Sequence, residues 1–153
     1  MLMFFTNWTT WATFFFFATA VVIQVSKTKN MTILATHHIL FQTSLVMNVF
    51  VVLVYWPFLY KVDMNRPEIK ASVFRTWVAR FTHSLPCLSV IINFLLSEIT
   101  MNKKQGYLCV PIGVAYSVVN YLGCRYYNGV IYWFLDWGKP TAYLVLVLLH
   151  VVV

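Results

Sequence analysis

The sequence predicts an all-α fold, a polytopic bundle of transmembrane helices. Of its 153 residues, 61% are hydrophobic and only 10% are charged, whereas soluble domains contain about 45–50% apolar and about 25% charged residues. The mean hydropathy of +0.75 agrees with this. The apolar residues also form uncharged runs long enough for membrane-spanning helices, which need about 20 residues each. These observations exclude a soluble globular domain and a disordered chain.

We expect about five spans in a single transmembrane domain that covers residues 1–153. The last apolar run has 13 residues, which as a helix is about 20 Å long against about 30 Å of hydrocarbon. The fifth span therefore ends inside the membrane, is completed by a partner, or belongs to a sequence shortened at its C-terminus. The predicted spans are about 4–25, 33–60, 81–99, 107–127 and 141–153.

The segment between the second and third spans is the most polar part of the chain. Lys61 to Ser72 reads KVDMNRPEIKAS and is predicted to be a loop because it contains Pro67. Val73 to Arg80 is amphipathic, so we expect an interfacial helix that continues into the third span. Pro86 should kink that span near its start.

The net charge of +7 comes from eleven basic and four acidic residues. These cations lie between apolar runs, where they anchor helices and set topology, so we expect no nucleic-acid partner. Loops on the N-terminal face carry seven of them against four on the other face, which favours the cytosol or matrix for the N-terminal face. The three cysteines, an odd number with no CxxC spacing, fit neither a disulfide framework nor a zinc site.

Several chemically active side chains are expected at one membrane face. Thr6 lies in the first turn of span one, His83 in the first turn of span three, and Arg125 at the end of span four. A hydroxyl beside an imidazole is the minimum set for nucleophilic acyl transfer, since the imidazole accepts the hydroxyl proton. The alternatives stay open: a membrane threonine commonly bonds its own backbone, and His83 could serve helix packing.

Haem ligation by His37 and His38 is a minor alternative. No other histidine lies at a depth that matches either of them, so we expect no metal or cofactor. Small and polar residues recur on one face of span four, where they favour close helix packing. They are Cys109, Gly113, Ser117, Asn120 and Cys124.

Four stretches resemble the androgen-induced and androgen-dependent family of multi-span membrane proteins. FFTNWTTW is similar to the family's threonine-bearing start of a span, and WVARFTHSLPCLSVIINFLLSE to its histidine-bearing helix. MNVFVVLVYWPFLYKVD is similar to the span that ends in an aromatic run and a charged loop. AYSVVNYLGCRYYNGVIYWFLDW is similar to the next helix, with its tyrosine-rich exit.

The resemblance implies a threonine hydrolase that cleaves fatty acid esters of hydroxy fatty acids. It implies Thr6 as nucleophile and His83 as base, with Thr9 or Thr10 as alternatives if the alignment shifts by a turn. Arg80 or Arg125 would hold the substrate carboxylate by a paired hydrogen bond. The implied partners are membrane lipids, and the implied location is an endomembrane or the plasma membrane.

A second hypothesis is a non-catalytic accessory subunit of a large membrane assembly, such as a complex of the mitochondrial inner membrane. The family has one more span before its threonine helix, and the last span here is short. A shortened relative can keep a fold and lose its chemistry. Other membrane subunits would then be the partners.

Overall fold

The structure, a computed structural model, describes residues 4–127 and 132–144. All the regular structure in those two ranges is helical, which confirms the predicted all-α fold. The elements are α1 (Phe5–Ser26), α2 (Met31–Val54), a π-helix (Tyr55–Leu59), α3 (Tyr60–Met64), α4 (Pro67–Lys70), α5 (Val73–Leu96), α6 (Lys103–Gly106), α7 (Cys109–Tyr127) and a 3₁₀ turn (Trp133–Leu135).

Three helical segments are long and apolar enough to cross a membrane, by length and composition. They are Phe5–Ser26, Met31–Met64 and Val73–Leu96, of 22, 34 and 24 residues. Helix α7 has 19 residues but is less apolar, so the fourth span remains a prediction. Of the predicted fifth span, 141–144 is helical, and residues 145–153 lie outside the described ranges.

The chain divides into two compact units. Unit 1 comprises Met1–Trp8 and Asn102–Val153, and unit 2 comprises Thr9–Met101. Unit 2 therefore holds most of α1 together with α2, the π-helix and α3 to α5. Unit 1 holds α6, α7 and the 3₁₀ turn.

Aromatic side chains form the core of unit 2. Phe16 of α1, Phe41 of α2 and Val90 of α5 are fully buried together. The rings of Phe16 and Phe41 lie 5.5 Å apart, and Phe94 stacks on Phe41 at 5.8 Å. Offset and tilted ring pairs at these separations are favourable, so this cluster holds α1, α2 and α5 together.

Local sequence explains where the helices of unit 2 begin. Asn30 caps α2 by accepting hydrogen bonds from two backbone N–H groups of the first turn, and Ser72 caps α5 in the same way with one. The predicted loop over Lys61–Ser72 instead contains most of α3 and all of α4. Helix α4 begins at Pro67, which is favourable in the first turn of a helix. Helix α5 continues through Pro86, so the interfacial helix and the third span are one helix.

In unit 1, Asn120 of α7 is fully buried and anchors the segment that follows the helix. Its side-chain oxygen accepts a hydrogen bond from Trp137 Nε1 at 2.9 Å, and its amide donates to Tyr116 Oη at 3.3 Å. Asp136 begins a turn in which Lys139 Nζ lies 3.0 Å from its carboxylate. That hydrogen bond, with one from the Gly138 N–H, lowers the pKa of Asp136.

Candidate functional site

The candidate site of unit 2 is built around the π-helix. Pro57 has no N–H, and its ring would clash with the carbonyl four residues earlier, so the α-helical ladder cannot continue through it. The N–H of Tyr60 donates instead to the carbonyl of Tyr55, five residues back. Single π turns occur frequently at functional sites. This one buries Tyr55 to 2% exposure and leaves Trp56 and Phe58 at the surface.

Tyr55 connects the π-helix to α3 and α5. Its ring is parallel to the imidazole of His83, with centroids 3.6 Å apart and planes 2° apart. Its hydroxyl donates a hydrogen bond to Asp63 Oδ2 at 3.1 Å. The other oxygen of Asp63 pairs with Arg66 Nε at 3.4 Å, so the carboxylate is already satisfied within the cluster.

The backbone fixes the tautomer of His83. Nδ1 lies 2.7 Å from the carbonyl oxygen of Ala79, and because a carbonyl only accepts, Nδ1 must carry the proton. In the neutral ring, Nε2 is then the basic nitrogen. The stacked Tyr55 ring and this hydrogen bond together hold the imidazole in one orientation, as a general base requires. The same bond to the preceding turn would also suit a purely structural histidine.

Arg80 lies one turn before His83 on α5, on the same helix face. Its Nη2 donates to Tyr60 Oη at 2.8 Å. The guanidinium carbon is 5.8 Å from the centre of the Tyr60 ring and 5.5 Å from that of Trp77, within the range of cation–π attraction. Two side chains, Tyr60 and Trp77, therefore position this cation, and neither carries a carboxylate.

Arg80 has unused capacity for hydrogen bonding. Its Nε is buried and has no hydrogen-bond partner. In the ranges that the structure describes, the two ion pairs are Arg66–Asp63 and Lys139–Asp136. A partly desolvated guanidinium without a counterion is an unfavourable arrangement in the free protein. The Arg80 guanidinium is therefore suited to bind the carboxylate or phosphate of a ligand, to which it would donate charge-assisted hydrogen bonds.

The structure thus brings together two of the four residues proposed from the sequence, Arg80 and His83. Thr6 and Arg125 belong to unit 1. Thr6 is buried in the first turn of α1. Arg125 is exposed in the last turn of α7, where a cation interacts favourably with the helix dipole.

The alternative nucleophiles Thr9 and Thr10 belong to unit 2. Thr9 is 1% exposed, and its carbonyl accepts a hydrogen bond from the Thr13 hydroxyl at 2.8 Å. Thr10 lies at the surface.

The histidines considered for haem bind protein groups. His37 Nδ1 lies 2.9 Å from the Thr19 hydroxyl, which itself donates to the Phe16 carbonyl. His38 Nε2 donates to the carbonyl of Thr100 at 2.9 Å. Within residues 4–127 and 132–144, no group of three or more His, Cys, Asp or Glu side chains is arranged to hold a metal ion.

Sequence reasoning missed the partners of His83 and Arg80. From the sequence, Tyr60 belongs to an aromatic end of the second span and Asp63 to a polar loop, and no role is expected for Tyr55. The available signal was Pro57 inside an apolar run, since a proline there must distort the helix and redirect the residues after it. A buried polar contact between α1 and α2, centred on Asn48, was also missed.

Comparison of the chain with protein-family models, with curated proteins and with solved structures finds no match. The class of protein is therefore described from its own fold and side chains. The protein is all-α in its described ranges and has three helical segments suited to crossing a membrane. One face of α5 carries the imidazole of His83, held in one orientation, and the guanidinium of Arg80, which forms no ion pair with a carboxylate among the described residues.

Proposed function

We propose that this protein is an integral membrane hydrolase of lipid esters, with fatty acid esters of hydroxy fatty acids as the substrate class. The observation that carries the proposal is the state of His83. Its Nδ1 is held by the Ala79 carbonyl, which makes Nε2 the basic nitrogen, and it lies one turn from the unpaired cation of Arg80. The resemblance to the androgen-induced family supplies the nucleophile, Thr6.

The proposed reaction has two stages. The Thr6 hydroxyl oxygen attacks the ester carbonyl carbon while its proton passes to His83 Nε2. The ester C–O bond then breaks, and the leaving alkoxide takes the proton from His83 to become the free hydroxy fatty acid. Water, deprotonated by His83 Nε2, next attacks the acyl carbonyl carbon. The bond from that carbon to the Thr6 oxygen then breaks, Thr6 takes the proton back from His83, and the second fatty acid is released. In this scheme Arg80 or Arg125 holds the substrate carboxylate, which is remote from the bond that breaks.

The apolar surface supports a lipid substrate. Trp11, Phe14 and Phe15 of α1 are about half exposed, as are Leu85 and Leu88 of α5. Acyl chains entering from the bilayer would contact such surfaces. An endomembrane or the plasma membrane is the proposed location, because the resemblance implies it.

The test compares His83→Gln with the unchanged protein, both purified into lipid nanodiscs. Glutamine preserves a hydrogen-bond donor but cannot accept a proton, so ester hydrolysis should fall about 10²- to 10⁴-fold, the usual contribution of a general base. Thr6→Ala should abolish the acyl–enzyme, while Thr9→Ala and Thr10→Ala should not. Hydrolysis is followed by mass spectrometry of the released fatty acids.

The matched control is His37→Gln, which changes a histidine of unit 2 that does not contact His83 or Arg80 in the contacts described above. It should leave hydrolysis unchanged. Circular dichroism and gel filtration establish that each variant is folded. Full activity of folded His83→Gln protein would contradict the proposal, and so would full activity of Thr6→Ala.

A second candidate is an accessory subunit of a large membrane assembly, such as a mitochondrial respiratory complex. The favouring observation is the low burial of α5, since only 11% of its apolar stretch is buried within the protein. A partner subunit could cover that surface. Solubilisation of native membranes in mild detergent distinguishes the two. Migration with a large complex, without ester hydrolysis, supports the subunit function.

A further inference from the structure

The segment that joins α2 to α5 carries a cluster of exposed cations. From Lys61 to Arg75 there are four basic residues and two acidic residues. Arg66 is paired with Asp63. The other three, which we call the basic platform, are Lys61, Lys70 and Arg75.

The cations of the basic platform are available to a ligand. All three are exposed, and none pairs with a carboxylate in the ranges the structure describes. Arg75 Nη1 donates to the backbone carbonyl of Glu68 at 3.5 Å, a neutral acceptor that leaves the charge uncompensated. Asp63 is occupied by Tyr55 and Arg66, so Glu68 is the one acidic side chain of the segment without an ion pair among the described residues. The platform therefore presents excess positive charge to its surroundings.

Helix length places this platform at a membrane surface. The segment Met31–Met64 has 34 residues, about 51 Å of helix against about 30 Å of hydrocarbon. The segment is therefore longer than the hydrocarbon, and its charged residues, Lys61 and Asp63, lie in its last turns. This is the end that would emerge into the head-group region, with α5 starting on the same side. Trp56 and Trp77, exposed by 39% and 50%, flank the platform as interfacial anchors.

We propose that the basic platform binds the head groups of anionic phospholipids. At that end of the helix the cations would meet the lipid phosphates, whose charge is of the opposite sign. A Lys or Arg near an anionic leaflet gains about 1 kcal/mol, which is about fivefold in affinity. Three such residues should together favour anionic over zwitterionic lipid by about 100-fold. The inference does not depend on the proposed hydrolysis.

The experiment measures lipid retention by native mass spectrometry. The protein is purified with an equimolar mixture of phosphatidylserine and phosphatidylcholine, and bound lipids are counted as detergent strips them away. The unchanged protein should retain phosphatidylserine selectively, and its selectivity should weaken as the salt concentration rises. Equal retention of the two lipids would overturn the proposal.

A triple variant localises the binding. Lys61→Gln, Lys70→Gln and Arg75→Gln together should reduce selectivity by about 100-fold. The matched control carries the same loss of charge elsewhere, at the exposed residues Lys27, Lys29 and Lys104, each changed to Gln. It should retain selectivity. An equal loss in both triple variants would overturn the platform as the site, since it would reflect net charge alone.

A second variant guards against loss of structure. Lys61→Arg with Lys70→Arg preserves both charges and should keep selectivity for phosphatidylserine. If this variant lost selectivity for phosphatidylserine while its circular dichroism was unchanged, an electrostatic site would be contradicted.

Discussion

Asn48 uses both hydrogens of its side-chain amide within unit 2. Nδ2 donates to Thr13 Oγ1 of α1 at 2.7 Å and to the Ser44 carbonyl of α2 at 2.8 Å. The Thr13 hydroxyl in turn donates a hydrogen bond to the Thr9 carbonyl. Because Asn48 is 2% exposed, water cannot replace these hydrogen bonds. Asn48 therefore fixes the contact between α1 and α2.

We predict that Asn48→Ala destabilises the protein by about 0.6–1.7 kcal/mol, the range from the average to the largest contribution of an interhelical hydrogen bond in a membrane protein. The measurement is the free energy of unfolding from a denaturant titration in mixed micelles. Ser44→Ala is the matched control. Its hydroxyl is fully buried and has no hydrogen-bond partner, so its removal should be neutral or slightly stabilising. The reverse order of the two effects would contradict this account.

Among the elements, α2 depends on its first residues as well as on its apolar length. The side-chain oxygen of Asn30 accepts from the N–H of Thr32 at 2.9 Å and from that of Ile33 at 3.4 Å. Both donors would otherwise lack an intrahelical partner. The cap also defines where α2 begins after the turn that follows α1.

We predict that Asn30→Ala destabilises the protein by about 0.5–2 kcal/mol, the usual cost of removing a helix N-cap. Asn30→Asp keeps the accepting oxygen and should retain most of the stability. Thermal unfolding followed by circular dichroism compares the three proteins. An equal loss in Asn30→Asp and Asn30→Ala would show that the cap is not the cause.

At the scale of the whole molecule, the three apolar helical segments define a topology for unit 2. Along the chain, the segment Met31–Met64 lies between the turn at 27–30 and α4, and α5 lies between α4 and the segment at 97–101. If all three segments span the membrane, these two connections lie on one face and α4 lies on the other.

We predict this pattern of labelling by a membrane-impermeant maleimide. In a background with the three native cysteines changed to Ala, Lys29→Cys and Met101→Cys should label from one side of sealed vesicles. Glu68→Cys should label only from the opposite side. Labelling of all three from one side would contradict the topology.

The helix positions were largely predictable because hydropathy is a local property. The predicted spans at about 4–25 and 107–127 correspond closely to Phe5–Ser26 and Cys109–Tyr127. The predicted continuation of the interfacial helix into the third span is confirmed, since α5 is one helix from Val73 to Leu96 with Ser72 as its N-cap. The prediction of a loop over Lys61–Ser72 was wrong in part, because α4 begins at Pro67 there.

By itself, the sequence determined that this chain is helical and apolar enough for a membrane, since both follow from composition and from the spacing of charges. It also indicated His83 and Arg80 as candidates. Only the tertiary structure decided what these side chains contact. Tyr55 stacks on His83 across 28 positions of sequence, and Tyr60 bonds Arg80 across 20. These contacts depend on how the π turn at Tyr55–Leu59 orients the residues around it toward α5. A local sequence pattern does not predict that orientation.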